Sequence, residues 1–376
     1  MVIGIDGNEA NLRERVGVNE YAFQILWNLY KLQEKGENPH NLIVYLKSKP
    51  LFDLPKQRQN FRYKIIPGEK FWIIKKLMRY LWRNPDKIDV LFSPNHYTVP
   101  FLRIPRICSI MDLGYLKFSS QFTKKVFWQL KSWSAISILV SKRIISISNS
   151  TKDDIVRHYP FARNKIAVTL PGYDAARFNT EIPISDVRRV KNKYSIVDDY
   201  ILYLGTLKPS KNIEGLIEAF ARLRTLGSGL QLVIAGKKGW LYESIFKKAE
   251  KLGLRDTIVF TGFVLEKDKP ALIKGAKVFV LPSFWEGFGL DSLCAMAAGI
   301  PVVVSNTGSL PEVVGNAGIF IDPYNVESIA EGLKEILSAN PKKYNRIVAA
   351  GLLQAKEFSW EKTAKKTLEV ITDATR

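Results

Sequence analysis

Cysteine is scarce in this chain: 376 residues contain two, Cys108 and Cys294. Two thiols cannot form a disulfide framework, so a reducing compartment is expected. Histidine is as thin, with three residues, and no Asp-x-Asp pair occurs. That leaves no obvious metal-ligand spacing, and metal-independent chemistry without a cofactor is expected. Neither G-x-G-x-x-G nor G-x-x-x-x-G-K-[ST] is present, which disfavours dinucleotide dehydrogenases and P-loop NTPases. The opening residues, MVIGIDGNEAN, read as a strand running into a polar loop rather than a signal peptide, and no apolar run reaches spanning length. The expected location is the cytoplasm, with contact at the cytoplasmic membrane face left open.

What the chain does have is apolar content, 46%, enough for two domains with cores of their own, and a net charge of +20. The charge is uneven. Met1 to Thr180 holds 29 Lys and Arg against 14 Asp and Glu, a surplus of +15, and the remainder only +5. A basic first half suits an anionic partner: a phosphorylated substrate, an anionic membrane surface or nucleic acid. Nucleic acid is disfavoured, since no recognised module accompanies the charge.

The stretch Val278 to Ser305, VFVLPSFWEGFGLDSLCAMAAGIPVVVS, reads as strand, glycine turn, helix, strand. In a parallel sheet such a turn lies where ligands bind, and it opens a helix whose free amides favour an anion. Gly287 and Gly289 allow close approach, and Glu286 can accept hydrogen bonds from hydroxyls. A polyol joined to a phosphate is implied; an ordinary crossover with a solvated Glu286 is the alternative.

In the first half, strands are expected at Val2 to Asp6, Asn41 to Leu46, Phe61 to Ile66, Ile88 to Phe92, Arg106 to Ile110, Arg143 to Ser148 and Lys165 to Leu170. Helices are expected at Val18 to Gln33 and Phe122 to Val140, with another capped by Asn149 or Ser150. Lys70 to Arg83 is expected as a helix with Phe71, Ile74, Leu77, Met78, Leu81 and Trp82 on one face and Lys75, Lys76, Arg79 and Arg83 opposite. Either it lies on an anionic membrane, or its basic face is simply solvated over a core helix. Pro171 to Asp199 reads as an interdomain connection. A second series has strands Tyr200 to Leu204, Leu230 to Ala235, Thr257 to Phe260, Val278 to Leu281, Val302 to Val304 and Ala317 to Asp322. Its helices follow Asn212 to about Arg224, end near Leu252, and start at Val326. Alternation of this kind predicts an α/β chain with two doubly wound parallel sheets. Lys211, the loop at 236 to 239, Gly262-Phe263-Val264 and the Glu286 turn would meet at one sheet edge. Lysine and helix amides suit a diphosphate and Glu286 suits sugar hydroxyls, so a nucleotide sugar fits. Asp153-Asp154 and Asp198-Asp199 read as surface or capping carboxylates.

An ordered series of segments, GIDGNEAN, SIMDLGYL, IISISNSTKDDI, YLGTLKPSKNIEGLIEAF, LVIAGKKGW, IVFTGFV, FWEGFGL, SLPEVVGNAGIFIDP and FSWEKTAKKTLEV, resembles glycosyltransferase family 4, within it the mannosyltransferase-B-like group. The resemblance covers nearly the whole chain. It implies a GT-B fold, two Rossmann-like domains facing a central cleft. Residues 1–180 would form the acceptor-side domain, 181–358 the nucleotide-sugar domain, and 359–376 a helix crossing back to the first. It implies a retaining hexosyltransferase moving a sugar such as mannose, from a donor such as GDP-mannose, to a saccharide or lipid-linked acceptor of a cell-surface polysaccharide. A catalytically impaired scaffold protein is the alternative.

By matched position, the resemblance gives catalytic roles to Glu286, Lys211 and Asp112. Lys211 would neutralise the diphosphate and Glu286 would bind sugar hydroxyls. Gly287, Gly289 and the amides of Phe288 and Leu290 would help hold the donor, and Gly262, Phe263 and Val264 would frame the base. Gly17 would let the first loop approach the phosphate; Gly205, Thr206, Lys208, Gly236 and Lys237 complete the donor side. Asn95, His96 and Met111 would lie on the acceptor side. Four positions differ from the family pattern. Cys294 stands for a second glutamate that binds ribose, Met111 for a histidine, and Ser210 for an arginine, with Lys208 as substitute. Asn19 stands for a second loop glycine.

Overall fold

A computed structural model describes residues 1–223 and 229–376. The chain divides into two compact units, Met1–Gly172 with Ser359–Arg376, and Tyr173–Phe358. Each is built on its own parallel sheet.

The first unit has seven strands: β1 (Val2–Asp6), β2 (Asn41–Leu46), β3 (Phe61–Ile65), β4 (Val90–Ser93), β5 (Arg106–Ile110), β6 (Arg143–Ser146) and β7 (Ile166–Val168). Their order is β3-β2-β1-β4-β5-β6-β7, all parallel. The direction of winding reverses between β1 and β4, so the loops after these two strands border the crevice where a doubly wound sheet takes ligands. The strands are continuous apolar runs because both sheet faces are covered. Helix Val18–Glu34 and the last helix, Trp360–Asp373, cover one face; the phenol of Tyr21 meets Ser109 at 3.3 Å and its ring meets Trp360 edge-on. The other face carries Ile43, Leu91, Cys108 and Ile144 in a continuous row set by the registers Gly4↔Ile43, Gly4↔Leu91, Ser93↔Cys108 and Cys108↔Ile144. Trp72, Leu77 and Leu81 pack on one end of that row, and Ile138 of helix Lys124–Val140 on the other.

The segment expected as one amphipathic helix over Lys70 to Arg83 is a π-helix, Ile73–Met78, continuing as α-helix Arg79–Arg83. A left-handed Phe71, at φ +58°, ahead of the π-turn and the wider turn itself change which side chains face inward. Trp72, Leu77 and Leu81 are buried, whereas Phe71 and Trp82, expected on the apolar face, stand in solvent beside the cations. Ser148, not Asn149 or Ser150, caps helix Asn149–His158, its Oγ accepting from the Thr151 amide at 3.0 Å. Asp154 in that helix is buried rather than on the surface.

The second unit has six strands: β8 (Asp199–Leu204), β9 (Leu230–Ala235), β10 (Ile258–Gly262), β11 (Val278–Leu281), β12 (Val302–Ser305) and β13 (Ile319–Ile321). They are parallel in the order β10-β9-β8-β11-β12-β13, with the reversal between β8 and β11. Part of the segment read as a connection is helix Ile184–Lys193, packed on helix Lys269–Lys274. Buried Asp268 accepts from Arg189 at 2.9 Å and from Lys193 at 2.5 Å, pinning the two together. Sequence periodicity missed the short helices Lys269–Lys274 and Leu310–Val314 and the longer Pro341–Ala355. The helix expected to reach Arg224 is seen over Ile213–Leu223, and Arg224 lies outside the described residues.

Candidate functional site

The second unit's site forms where topology requires it. Lys211 lies on the loop after β8 and Glu286 on the loop after β11, the two strands flanking the reversal. Lys211 Nζ forms an ion pair with Glu286 Oε1, and both side chains are largely covered, at 15% and 12% exposure. Ser283 Oγ donates to the same carboxylate oxygen at 2.7 Å. A lysine ammonium and a carboxylate in one partly desolvated pair give a cation for phosphate and an acceptor for hydroxyls within one contact.

Neighbouring loops fix that pair. The Phe284 amide donates to the Ser210 carbonyl at 3.0 Å, tying the two loops together, and Ser309 donates to the Glu286 carbonyl through Oγ at 3.0 Å. A Cβ on Gly308, whose φ is +63°, would sit 2.6 Å from that same carbonyl oxygen. Gly289, at φ +88°, precedes helix Leu290–Ala297, and Phe288 is buried edge-on against Phe358. Gly287 is buried and Leu290 half-buried. Gly205, Thr206, Lys208, Gly236, Lys237 and Gly262 to Val264, expected on the donor side, gather at the ends of β8, β9 and β10, whereas Gly17 belongs to the first unit. A Cβ on Gly236 would lie 1.9 Å from the Gly205 carbonyl oxygen, and the Gly236 amide donates to Gly262 at 2.9 Å. Lys237 receives the Leu207 amide on its carbonyl, next to Thr206, and Lys208 Nζ lies 5.0 Å from the Trp240 ring centroid. Phe263 is half-buried and Val264 buried.

Two residues of this neighbourhood escaped the sequence reading. Ser283 orients Glu286. Asp291, in the first turn of helix Leu290–Ala297, has its carboxyl pushed up to about 6 by burial, with Lys269 and Lys211 opposing and Glu266 and Glu286 reinforcing the shift. Only its place in the first turn of the glycine-led helix could have signalled it. Where the family pattern has charged groups, Cys294 and Ser210 are buried.

In the first unit, the loops after β4 and β5 carry the residues expected on the acceptor side, and the loop after β1 carries Gly17. Asn95 is buried and its Oδ1 accepts from the Tyr97 amide at 2.7 Å. Burial pushes the His96 imidazole down to about 4, so it is neutral at pH 7, and its Nε2 has no hydrogen-bond partner among the described residues. Asn95 receives the Ser109 amide on its carbonyl, tying the loop after β4 to strand β5. The Met111 carbonyl accepts from Thr151 Oγ1, and exposed Asp112 accepts from the Gly114 amide at 2.9 Å. Gly17, at φ +52°, opens helix Val18–Glu34, and Asn19 donates to Glu9, whose carboxyl is raised by burial. Asp6, at the end of β1, is pushed up to about 6 for the same reason. Neither Glu9 nor Asp6 was anticipated. Among the described residues no cluster of three or more His, Cys, Asp or Glu could hold a metal, and no helix is long and apolar enough to cross a membrane.

Comparison with known proteins covers both units. The model of glycosyl transferases group 1 matches residues 187–354 and that of Glycosyltransferase Family 4 matches residues 33–177. The chain is 29% identical over 345 residues to O-antigen chain mannosyltransferase B of Escherichia coli, covering 90% of this chain and 84% of the relative. It is 33% identical over 232 residues to the serotype-specific mannosyltransferase WbdA of Escherichia coli, covering 61% of this chain but 28% of that longer protein. Sucrose-phosphate synthase from Thermosynechococcus elongatus superposes with a TM-score of 0.77 at 18% identity, over 99% of this chain and 98% of that one, a likeness of fold. With two parallel-sheet Rossmann-like units of GT-B type, matched in tandem by these models, the chain belongs to glycosyltransferase family 4.

Proposed function

We propose that this glycosyltransferase moves mannose from GDP-mannose, with retention, to a saccharide or lipid-linked acceptor of a cell-surface polysaccharide. The observation that carries the reading is the Lys211–Glu286 pair at the reversal of the second sheet, beside the Gly289 turn. The mannosyltransferases among its relatives support the choice of sugar and product.

In this reading the donor separates the pair. Lys211 moves onto the diphosphate and Glu286 turns to the sugar hydroxyls, held in place by Ser283. The bond from the anomeric carbon to the phosphate oxygen lengthens, and the sugar becomes oxocarbenium-like. Lys211 and the amides opening helix Leu290–Ala297 stabilise the negative charge that the diphosphate gathers. An acceptor hydroxyl attacks the same sugar face, the new carbon–oxygen bond forms, and the acceptor proton passes to the departing phosphate oxygen. No step calls on a metal or cofactor.

Calorimetric titration with GDP-mannose, UDP-glucose, GDP and UDP, followed by product analysis with a saccharide acceptor, tests this. Binding of GDP-mannose with α-linked product supports it; a preference for the uridine ligands overturns the donor assignment. A second reading, a GT-B chain that binds without turnover, is favoured by buried Cys294 and Ser210 at positions where the family carries charged groups. Binding of donor with neither transfer nor donor hydrolysis would select it.

A further inference from the structure

Between Asp89 and Asp153 the sequence carries one acidic residue, Asp112, and Lys70 to Arg83 carries none. These acid-poor segments supply the π/α segment Ile73–Arg83, the loop 99–105 and helix Lys124–Val140. All three cover the same face of the first unit's sheet, the face lined by Ile43, Leu91, Cys108 and Ile144. Their outer surface is apolar where a solvated helix layer would be polar. Phe71, Trp82, Phe101 and Trp128 are 64%, 55%, 67% and 59% exposed.

Each of three of these rings has a cation beside it. Lys75 lies 5.5 Å from the Phe71 ring centroid, Arg103 5.8 Å from that of Trp82, and Lys131 5.0 Å from that of Trp128. Phe71 also holds a φ of +58°, a conformation a bulky side chain adopts only at a cost, and it precedes a π-turn, a device that often marks functional sites. A helix layer serving only as a lid for the core would turn its large aromatics inward and leave cations alone outside. This layer buries Trp72, Leu77 and Leu81 but keeps Phe71 and Trp82 out among the lysines and arginines.

We infer that this face of the first unit docks on a lipid bilayer with anionic headgroups. The tryptophan rings sit at the headgroup boundary, where an amphipathic ring is most favourable, the phenyl rings reach just below it, and the lysines and arginines meet the lipid phosphates. The charge complementarity is local, since these segments carry no carboxylate to repel those phosphates. The inference deepens the reading of a lipid-linked acceptor, which would lie in the same bilayer. It stands on the first unit alone and is measured without donor or acceptor.

The test is sedimentation of the full chain with vesicles of phosphatidylcholine alone, and of phosphatidylcholine mixed with phosphatidylglycerol in equal parts. Partitioning into the mixed vesicles is expected to exceed that into neutral ones by at least about tenfold, since each cation near the surface adds about fivefold. The triple variant Phe71→Ser, Trp82→Ser, Trp128→Ser should lose about tenfold or more, and the double variant Lys75→Glu, Lys131→Glu should lose the anionic preference. These side chains are outside the core, so far-ultraviolet circular dichroism and the urea unfolding midpoint should stay close to those of the parent; if the triple variant misfolds, the charge reversals decide. Equal partitioning into both vesicles, retention of binding by the charge-reversed protein, or binding of duplex DNA with no vesicle binding overturns the inference.

Discussion

Replacing Glu286 by glutamine separates two roles that the ion pair holds together. In the free protein Lys211 is committed to Glu286, and Ser283 donates to the same oxygen at 2.7 Å. The Glu286→Gln side chain would keep the shape and the acceptor for Ser283 but remove the charge that holds Lys211. A ligand that needs only the lysine, GDP, should then bind as well as before or better. A ligand that also needs the carboxylate, GDP-mannose, should lose a hydrogen bond to a charged group, about 1.5 to 3 kcal/mol, or roughly 10- to 150-fold in Kd. Lys211→Met predicts a different pattern: both ligands weaken by a similar factor, because each needs the cation at its diphosphate. Calorimetric titration of both ligands into the parent and the two variants gives the ratio of Kd for GDP-mannose to Kd for GDP. That ratio should rise about tenfold or more in Glu286→Gln and stay within about twofold in Lys211→Met. If Glu286→Gln weakens GDP as much as GDP-mannose, the carboxylate acts by shaping the loop, and the two side chains do not divide the donor between them.

Asp291 has a folded-state pKa raised from 3.8 to about 6, so its stabilising contribution is present below 3.8 and is lost as pH rises to about 6. Asp291→Asn should therefore add on the order of 2 kcal/mol at pH 7 and little at about pH 3.5, measured by urea unfolding; equal gains at both would contradict the buried-carboxylate account. Gly236→Ala forces a Cβ to 1.9 Å from the Gly205 carbonyl oxygen, a backbone contact that cannot yield. A loss of about 3 kcal/mol or failure to fold is expected, and an unchanged melting curve would refute the contact. Asp268→Asn removes the charge shared by Arg189 and Lys193; a drop of about 1 to 3 kcal/mol in unfolding free energy is predicted, and no change would show the two helices held by packing alone. Although burial opposes it, hydrogen bonds from Lys193 and Arg189 hold the Asp268 carboxyl below its ordinary range. The parent should therefore lose this contribution only as pH falls below about 4, and the variant should lack that acid limb.

The sequence by itself determined the alternation of apolar strands with helices, and with it two parallel sheets. Strands such as Val2–Asp6, Asn41–Leu46 and Val278–Leu281 are short apolar runs between polar breaks, a local signal. It also marked Lys211 and Glu286, because each sits in a loop whose glycine, proline and charged residues interrupt a strand-to-helix passage. That the two side chains meet was decided by strand order, since β8 and β11 are neighbours in the sheet although β9 and β10 lie between them in the chain. Strand order also set Asp291 beside them, where burial raises a carboxyl that looks ordinary in the sequence. The face of the Ile73–Arg83 segment was illegible for another reason. Periodicity assumes a regular helix throughout, but here Phe71 holds φ +58° before the helix begins and a π-turn shifts the side chains that follow, so packing against Ile43, Tyr45 and Leu91 decided which residues went inside. Local pattern fixes what a segment can become; the neighbours it packs on decide which side it turns to solvent.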